Sequence, residues 1–196
     1  MFGVVNTLKR CGAMEEGHFL LSSGRHSDRY FQCARLLQYP AYAEEIFAPI
    51  IVRIRKAILA REFIFSAVAG PAIGGIIPAF EAARQLGLRA IFTERDDNGV
   101  MTLRRGFEVP KEENILLVED VLTTAKSSKE SIAALEANGA KVVAIACIVD
   151  RRTPDIKLDL PVFSACAISA ATWDKEECPL CKQGIPIEKP GSRRMI

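Results

Sequence analysis

The chain has little of what would commit it to a charged polymer, a membrane or a metal. Over 196 residues the formal net charge is only +2, whereas a strongly basic nucleic-acid face would leave a larger excess of Lys and Arg. No long apolar run is present. The most apolar segment, Ala67–Phe80, is interrupted by Gly70, Pro71, Gly74, Gly75 and Pro78 and is too short and broken to span a bilayer. The opening MFGVVNTLKRCGAM places its charges after its apolar residues, which predicts no secretory leader and a cytoplasmic protein. Histidine is scarce, with only His18 and His26. Six cysteines (11, 33, 147, 166, 178 and 181) are scattered along the chain and are expected to be reduced thiols. Cys178 and Cys181 form the single CxxC. A zinc site would need two more ligands, and both histidines lie far upstream, so the pair reads as partly buried thiols and no metal-ligating residue is assigned. A redox pair would call for a flanking thioredoxin-like strand and helix, which the sequence does not offer.

What remains is the composition of an ordinary globular protein, 49% apolar and 26% charged, long enough to bury a sizeable core as a single domain over residues 1–196. Its most informative stretch is NILLVEDVLTTAKSSKE, residues 114–130. Ile115–Val118 is too short for a helix and rich in branched residues, so it predicts a buried strand. Glu119 and Asp120 close that strand. Thr123, Thr124, Ala125, Lys126 and Ser127 follow, and Ser127 with Glu130 has the spacing of a capping box that starts a helix over Ser128–Asn138. Gly139 stops it at the C′ position. A loop of small and hydroxyl residues at a helix N-terminus can aim backbone amides and hydroxyls at one anion. Two carboxylates beside it make sense if they face sugar hydroxyls or a cation. The pattern is not a Walker A loop, which has glycines and no acidic pair before its lysine.

Elsewhere, the spacing predicts a short amphipathic helix over Phe2–Ala13 and two strand-like pieces within Gly17–Ala34 around SSGRHSD. A long helix over Ala41–Leu59 follows, preceded by Pro40. Phe63–Val68 reads as a strand, residues 69–75 as a glycine-rich loop, Ile76–Leu86 as a helix and Arg89–Thr93 as a strand. Asn98-Gly99 is a hairpin signal, so the chain is expected to return as a protruding hairpin over Val100–Val109. Lys141–Val149 and Val162–Ile168 complete the strands. Alternating strands and helices imply an α/β fold with a mainly parallel sheet flanked by helices. Ligands of such sheets sit beyond the C-terminal strand ends. That rule gathers the loop 70–75, the segment 94–105, the loop 119–127 and Asp150–Arg151 around one crevice; only the polar cluster Ser22–Asp28 is not at such an end.

VEDVLTTAKS resembles the phosphoribosyl pyrophosphate (PRPP) signature of type I phosphoribosyltransferases, and the chain from Glu16 to Arg194 resembles the orotate phosphoribosyltransferases among them. Ala125 stands where that family usually has glycine. The resemblance implies the type I fold with a small N-terminal hood, and transfer of the phosphoribosyl group of PRPP to orotate with Mg²⁺ as cofactor. It implies homodimers in which a mobile loop crosses to the partner, with Arg95 acting in trans, and neither nucleic acid nor membrane as partner.

Residue by residue, it assigns the ribose hydroxyls to Glu119 and Asp120 and the 5-phosphate to the loop Val121, Leu122, Thr123, Thr124, Ala125, Lys126 and Ser127. Gly70 and Pro71 open the pyrophosphate loop. Arg151 is assigned to the orotate carboxylate, because a planar guanidinium can bind it bidentately. Ser22, Arg25, Tyr30 and Phe31 wall the base pocket, with Thr123 near the base. Arg95 matches the arginine that begins the family's mobile loop, but Asp96, Asp97 and Asn98 replace its usual cations. Arg104 and Arg105 are the nearest substitutes, and with Arg95 and Asp120 they are the expected catalytic residues. Two other readings remain open on the sequence: a related enzyme using a purine or uracil base, and a PRPP-sensing regulator on the same fold.

Overall fold

The computed structural model describes residues 2–21 and 23–190, apart from the side chain of Phe2. A six-stranded sheet carries the architecture, in the order β5-β4-β3-β6-β7-β8. Its strands are β3 (Ala67–Pro71), β4 (Arg89–Arg95), β5 (Met101–Leu103), β6 (Asn114–Leu122), β7 (Lys141–Asp150) and β8 (Val162–Ala167). All neighbours pair in parallel except the short edge strand β5, which runs antiparallel to β4. The centre is β6, where Ile115, Leu116, Leu117 and Val118 are fully buried. An apolar run serves here because helices cover both faces, and burying each such side chain contributes about 1.5–3 kcal/mol. The alternation of the strand divides them. Leu116 and Val118 join Val68, Ala144 and Ala146 in one core, against α3 (Pro40–Leu59) and α4 (Ile76–Leu86). Ile115 and Leu117 join Ala67, Ile91 and Ile145 in the other, against α5 (Lys126–Ala137) through Leu135.

The long helix keeps Pro49 in its interior. That residue lies on the exposed face, where the carbonyl left without an amide partner can turn to water. Ahead of the main sheet come α1 (Phe2–Arg10), β1 (Met14–Leu20), β2 (His26–Phe31) and α2 (Ala34–Leu37). The pair β1–β2 forms the expected hood, but its third strand, β9 (Thr172–Trp173), comes from the far end of the chain. A last short helix, α6 (Pro179–Lys182), follows it. The sequence signals for both late elements were too short to register.

Four expectations need correction. The strand expected at Phe63–Val68 begins at Ala67, because its neighbours pair only from there: Ala67 faces Arg89 on one side and Ile115 on the other. Phe63 and Phe65 instead stack on each other. The returning strand of the hairpin is Met101–Leu103 rather than Val100–Val109. Arg105 and Gly106 both take positive φ, which ends strand pairing. The turn is not a two-residue loop either. Gly99 N–H donates to the Asp96 carbonyl, and the Asp96 carboxylate accepts the amides of Asn98 and Val100 at 2.9 Å each, an Asx-type turn with only Gly99 in the left-handed region. Finally, no capping box forms. The helix begins at Lys126 behind Ala125, without a side-chain cap, and Glu130 is drawn sideways into an ion pair with Arg95.

Candidate active site

Three loops meet beyond the C-terminal strand ends. The first is the turn from β6 into α5. The strand runs through the acidic pair to Leu122, and Ala125 then adopts φ +56° and ψ +19°. This is the left-handed conformation that glycine takes freely and that costs an alanine about 1–2 kcal/mol. Its side chain is buried in the core under α5, so the methyl has a place to go. The consequence is a reversal that exposes Thr123, Thr124, Lys126 and Ser127 around the helix start. Lys129 N–H makes the first helical bond, to Ala125, so the amides of Ser127 and Ser128 precede it and are free of helical acceptors. An anion held there meets amide donors, hydroxyls, the positive end of the helix and the Lys126 side chain.

Glu119 and Asp120 face different surroundings. Glu119 is 6% exposed and accepts a hydrogen bond from Ser128 Oγ at 3.2 Å. Burial, and then the neighbouring Asp120 charge, push its pKa up to about 8, against the opposing pull of Ser128 and a backbone amide. Burial also raises Asp120, which accepts its own chain's Val121 amide at 2.7 Å. The Asp120 carboxyl group packs against the second loop, residues 70–75. A Cβ placed on Gly74 would lie 2.9–3.0 Å from its carboxyl carbon and both oxygens. The glycine there lets the loop close on the carboxylate. Gly70 is needed for a different contact, since a Cβ would meet the Gly75 carbonyl oxygen at 2.2 Å. The Ala72–Ile73 peptide of this loop is cis.

The third loop follows β7. Arg151 donates its backbone N–H to Leu122 at 2.8 Å, which sets it beside the turn after β6. Asp150 binds Arg152, two residues on, in a fork at 2.8 and 2.9 Å. Among the described residues that leaves Arg151 with no carboxylate partner. Its guanidinium lies over the Phe31 ring, 4.8 Å from the centroid. Burial lowers its pKa, with Asp28 opposing and Arg29 adding to the effect. Its Nε is the one buried side-chain donor among the described residues that has no partner. A buried donor left unpaired costs about 1–3 kcal/mol, and none of the described residues supplies its acceptor.

The sequence-based site residues divide accordingly. Gly70, Pro71, the 119–127 turn, Arg151 and Phe31 come to the same end of the sheet. Tyr30 sits beside Phe31 in β2 but packs at a tilt against Phe19, ring centroids 5.8 Å apart. Arg25 is turned to the C-terminal segment, with Thr172 O accepting from it at 3.1 Å and Asp174 at 3.5 Å. Ser22 lies outside the described residues. Arg95 is tied to Glu130 and donates to Gly99 O at 2.7 Å, within its own chain. Arg105 forks onto Glu94 at 2.6 and 2.9 Å, with Arg104 3.9 Å from the same carboxylate. Both therefore belong to the hairpin in this conformation. Sequence reasoning overlooked Ser128, which steadies Glu119, and the pairing of Gly74 with Asp120. The only available signal for the second was the glycine itself.

Comparison with known proteins gives concordant results. Residues 43–182 match the family described as the phosphoribosyl transferase domain. The chain is 48% identical over 192 residues to an orotate phosphoribosyltransferase of Caldanaerobacter subterraneus subsp. tengcongensis, covering 98% of this chain and 97% of that one. Among solved structures it is similar to the orotate phosphoribosyltransferase of Aeropyrum pernix, with a TM-score of 0.70, 28% identity, and coverage of 84% and 93% of the two chains. It is also similar to that of Mycobacterium tuberculosis in complex with Fe(III) dicitrate, with a TM-score of 0.64, 25% identity, and coverage of 85% and 95%.

Proposed function

The chain belongs to the phosphoribosyltransferase family, and from that premise we propose that it transfers the phosphoribosyl group of PRPP to orotate, giving orotidine 5′-phosphate and pyrophosphate in pyrimidine synthesis. The observation that carries the choice of base is the buried, unpartnered Nε of Arg151 above Phe31. A planar anionic ring satisfies both features, its carboxylate taking the guanidinium fork and its face meeting aromatic carbon. The near full-length similarity to an orotate phosphoribosyltransferase supports the same reading.

In this mechanism the Thr123–Ser127 turn holds the 5-phosphate, and Glu119 and Asp120 take the ribose hydroxyls. The amides of the 70–75 loop face the pyrophosphate. As the bond from the anomeric carbon to the pyrophosphate oxygen lengthens, the sugar becomes oxocarbenium-like and a ring nitrogen of orotate forms the new bond. No protein nucleophile is needed. The chain contributes position, and donors aimed at the charge growing on pyrophosphate. The hard oxygen donors of Asp120 beside the pyrophosphate loop fit Mg²⁺, which when bound with substrate oxygens offsets that charge. Arg95, Arg104 and Arg105 lie on the hairpin that would close over the site and exclude water. We further propose a cytoplasmic homodimer in which Arg95 serves the partner's site.

The test is loss of orotate absorbance with PRPP and Mg²⁺, each then withheld in turn. Consumption that requires both supports the assignment. PRPP binding without orotate consumption, but with consumption of another base, would transfer the reaction to that base.

A further inference from the structure

Far along the chain from the PRPP loops, four side chains converge that the sequence keeps apart. His18 on β1, His26 at the start of β2, and Cys178 and Cys181 around α6 bring their donor atoms within 4.8 Å of one another. His18 Nε2 lies 2.9 Å from His26 Nδ1, 3.5 Å from Cys178 Sγ and 3.7 Å from Cys181 Sγ, while Cys181 Sγ lies 3.3 Å from His26 Nδ1. A zinc ion bound at Zn–N of about 2.0–2.1 Å and Zn–S of about 2.3 Å in a tetrahedron holds its nitrogen and sulfur ligands roughly 3.6 Å apart. Three of the four S–N separations, 3.3–3.7 Å, fall around that value.

Hydrogen bonding alone accounts poorly for the cluster. The Nδ1–H of His18 donates to the Ile185 carbonyl at 2.8 Å, and in the neutral ring with that tautomer Nε2 is an acceptor with one in-plane lone pair. Three groups press on that single lone pair. A cation at the centre resolves the crowding, and the bond to Ile185 is the outer partner that metal-bound histidines usually have. His18, His26 and Cys178 are buried, with Cys181 the outermost member.

A second observation is independent of this geometry. Beyond Ile168, Cys178 is the only buried residue among those described. The four-residue α6 buries no apolar side chain besides, and Ile185 and Ile187 are 40% and 44% exposed. Yet this segment lies against the hood, with Leu20 N–H donating to Glu188 O and Glu188 N–H to His18 O, both at 2.8 Å. Burial too small to hold a segment is where natural proteins use a disulfide or a metal, and the two cysteines are free thiols.

We propose that His18, His26, Cys178 and Cys181 form a structural zinc site that staples the C-terminal segment to the β1–β2 hairpin. Binding exchanges two thiol protons for the ion and leaves a neutral S₂N₂ centre, a donor set that suits zinc over harder cations. The site lies at the start of β2, whose last residue, Phe31, lies under Arg151. It does not depend on which base the enzyme uses.

The test is metal analysis of the full chain, purified reduced from zinc-supplemented cells without chelator, followed by removal of the metal and titration with Co²⁺. The expected result is one zinc per chain, and a cobalt form with thiolate charge-transfer bands and the strong visible absorption of tetrahedral coordination. Cys181→Ser should lose the zinc and the thiolate bands, whereas Cys11→Ser should keep both. In the metal-free protein, amide hydrogen exchange should rise in residues 14–31 and 172–188 while β6 stays protected. Zinc far below one per chain together with no tetrahedral cobalt spectrum overturns the proposal, as does full zinc retention in Cys181→Ser. Should that variant fail to fold, the cobalt titration of the unaltered chain decides alone.

Discussion

Replacing Gly74 by alanine should damage catalysis without damaging the fold. The new Cβ would stand 2.9–3.0 Å from the three carboxyl atoms of Asp120, where ordinary contact begins at 3.4 Å. Gly74 does not have a positive φ, so alanine meets no backbone strain, and restricting the unfolded chain contributes about 0.4–1 kcal/mol of stability. Against this stands local overpacking, about 1–3 kcal/mol if nothing yields. The Asp120 side chain lies at the crevice, so it is the part that moves. A retreat approaching 1 Å from the ribose hydroxyls is worth up to about 10²-fold in rate. We expect kcat/KM to fall by about 10–100-fold with a thermal midpoint close to that of the parent. Gly70→Ala is the contrasting variant. Its Cβ would meet the carbonyl oxygen and carbon of Gly75 at 2.2 and 2.7 Å, main-chain atoms that cannot step aside, so this variant should lose fold and activity together. Initial rates of orotate consumption and a thermal melt on both proteins measure the difference. If Gly74→Ala keeps kcat/KM within about twofold of the parent, the loop does not hold Asp120 in its working position and the reasoning fails.

Arg151→Ala should cost about 3 kcal/mol in kcat/KM for orotate, some 10²-fold, while PRPP affinity by calorimetry stays unchanged; Arg151→Lys should recover little, because an ammonium lacks the planar fork. Stability should fall as pH rises from about 5 to 8. Glu119 has its folded pKa raised to about 8 from 4.5, so the folded state binds the extra proton across that window and loses the benefit as pH passes through it. Urea titrations of the unliganded protein should show a decline of a few kcal/mol, and Glu119→Gln should flatten it. Mixing Arg95→Ala chains with Asp120→Asn chains should restore activity to hybrid dimers, since each hybrid then contains one site with both residues intact. Activity no higher than that of the separate variants would mean that each site uses its own Arg95, as the Arg95–Glu130 pair within one chain would allow.

Much of this protein is decided locally and is therefore legible in its sequence. The helix Ile76–Leu86 occurs where its apolar spacing places it, and the strand containing Ile115–Val118 is buried, because periodicity and branched residues act over a few neighbours. Order along the chain also determines the parallel sheet, and hence the end of it where the loops carrying Gly70, Asp120 and Arg151 must gather. Where the sequence misled, a distant partner had the stronger claim. Glu130 has the spacing of a capping residue but answers to Arg95, 35 positions away. Phe63–Phe65 has the composition of a strand, yet its neighbours begin pairing only at Ala67.

The approach of Gly74 to Asp120, the lone Nε of Arg151 and the meeting of His18 and His26 with Cys178 and Cys181 all required the finished fold. None of these contacts is periodic or local. A side chain carries its chemistry in the sequence, but whether that chemistry is shared depends on distances the backbone sets only after the sheet, the hood and the C-terminal segment have packed together.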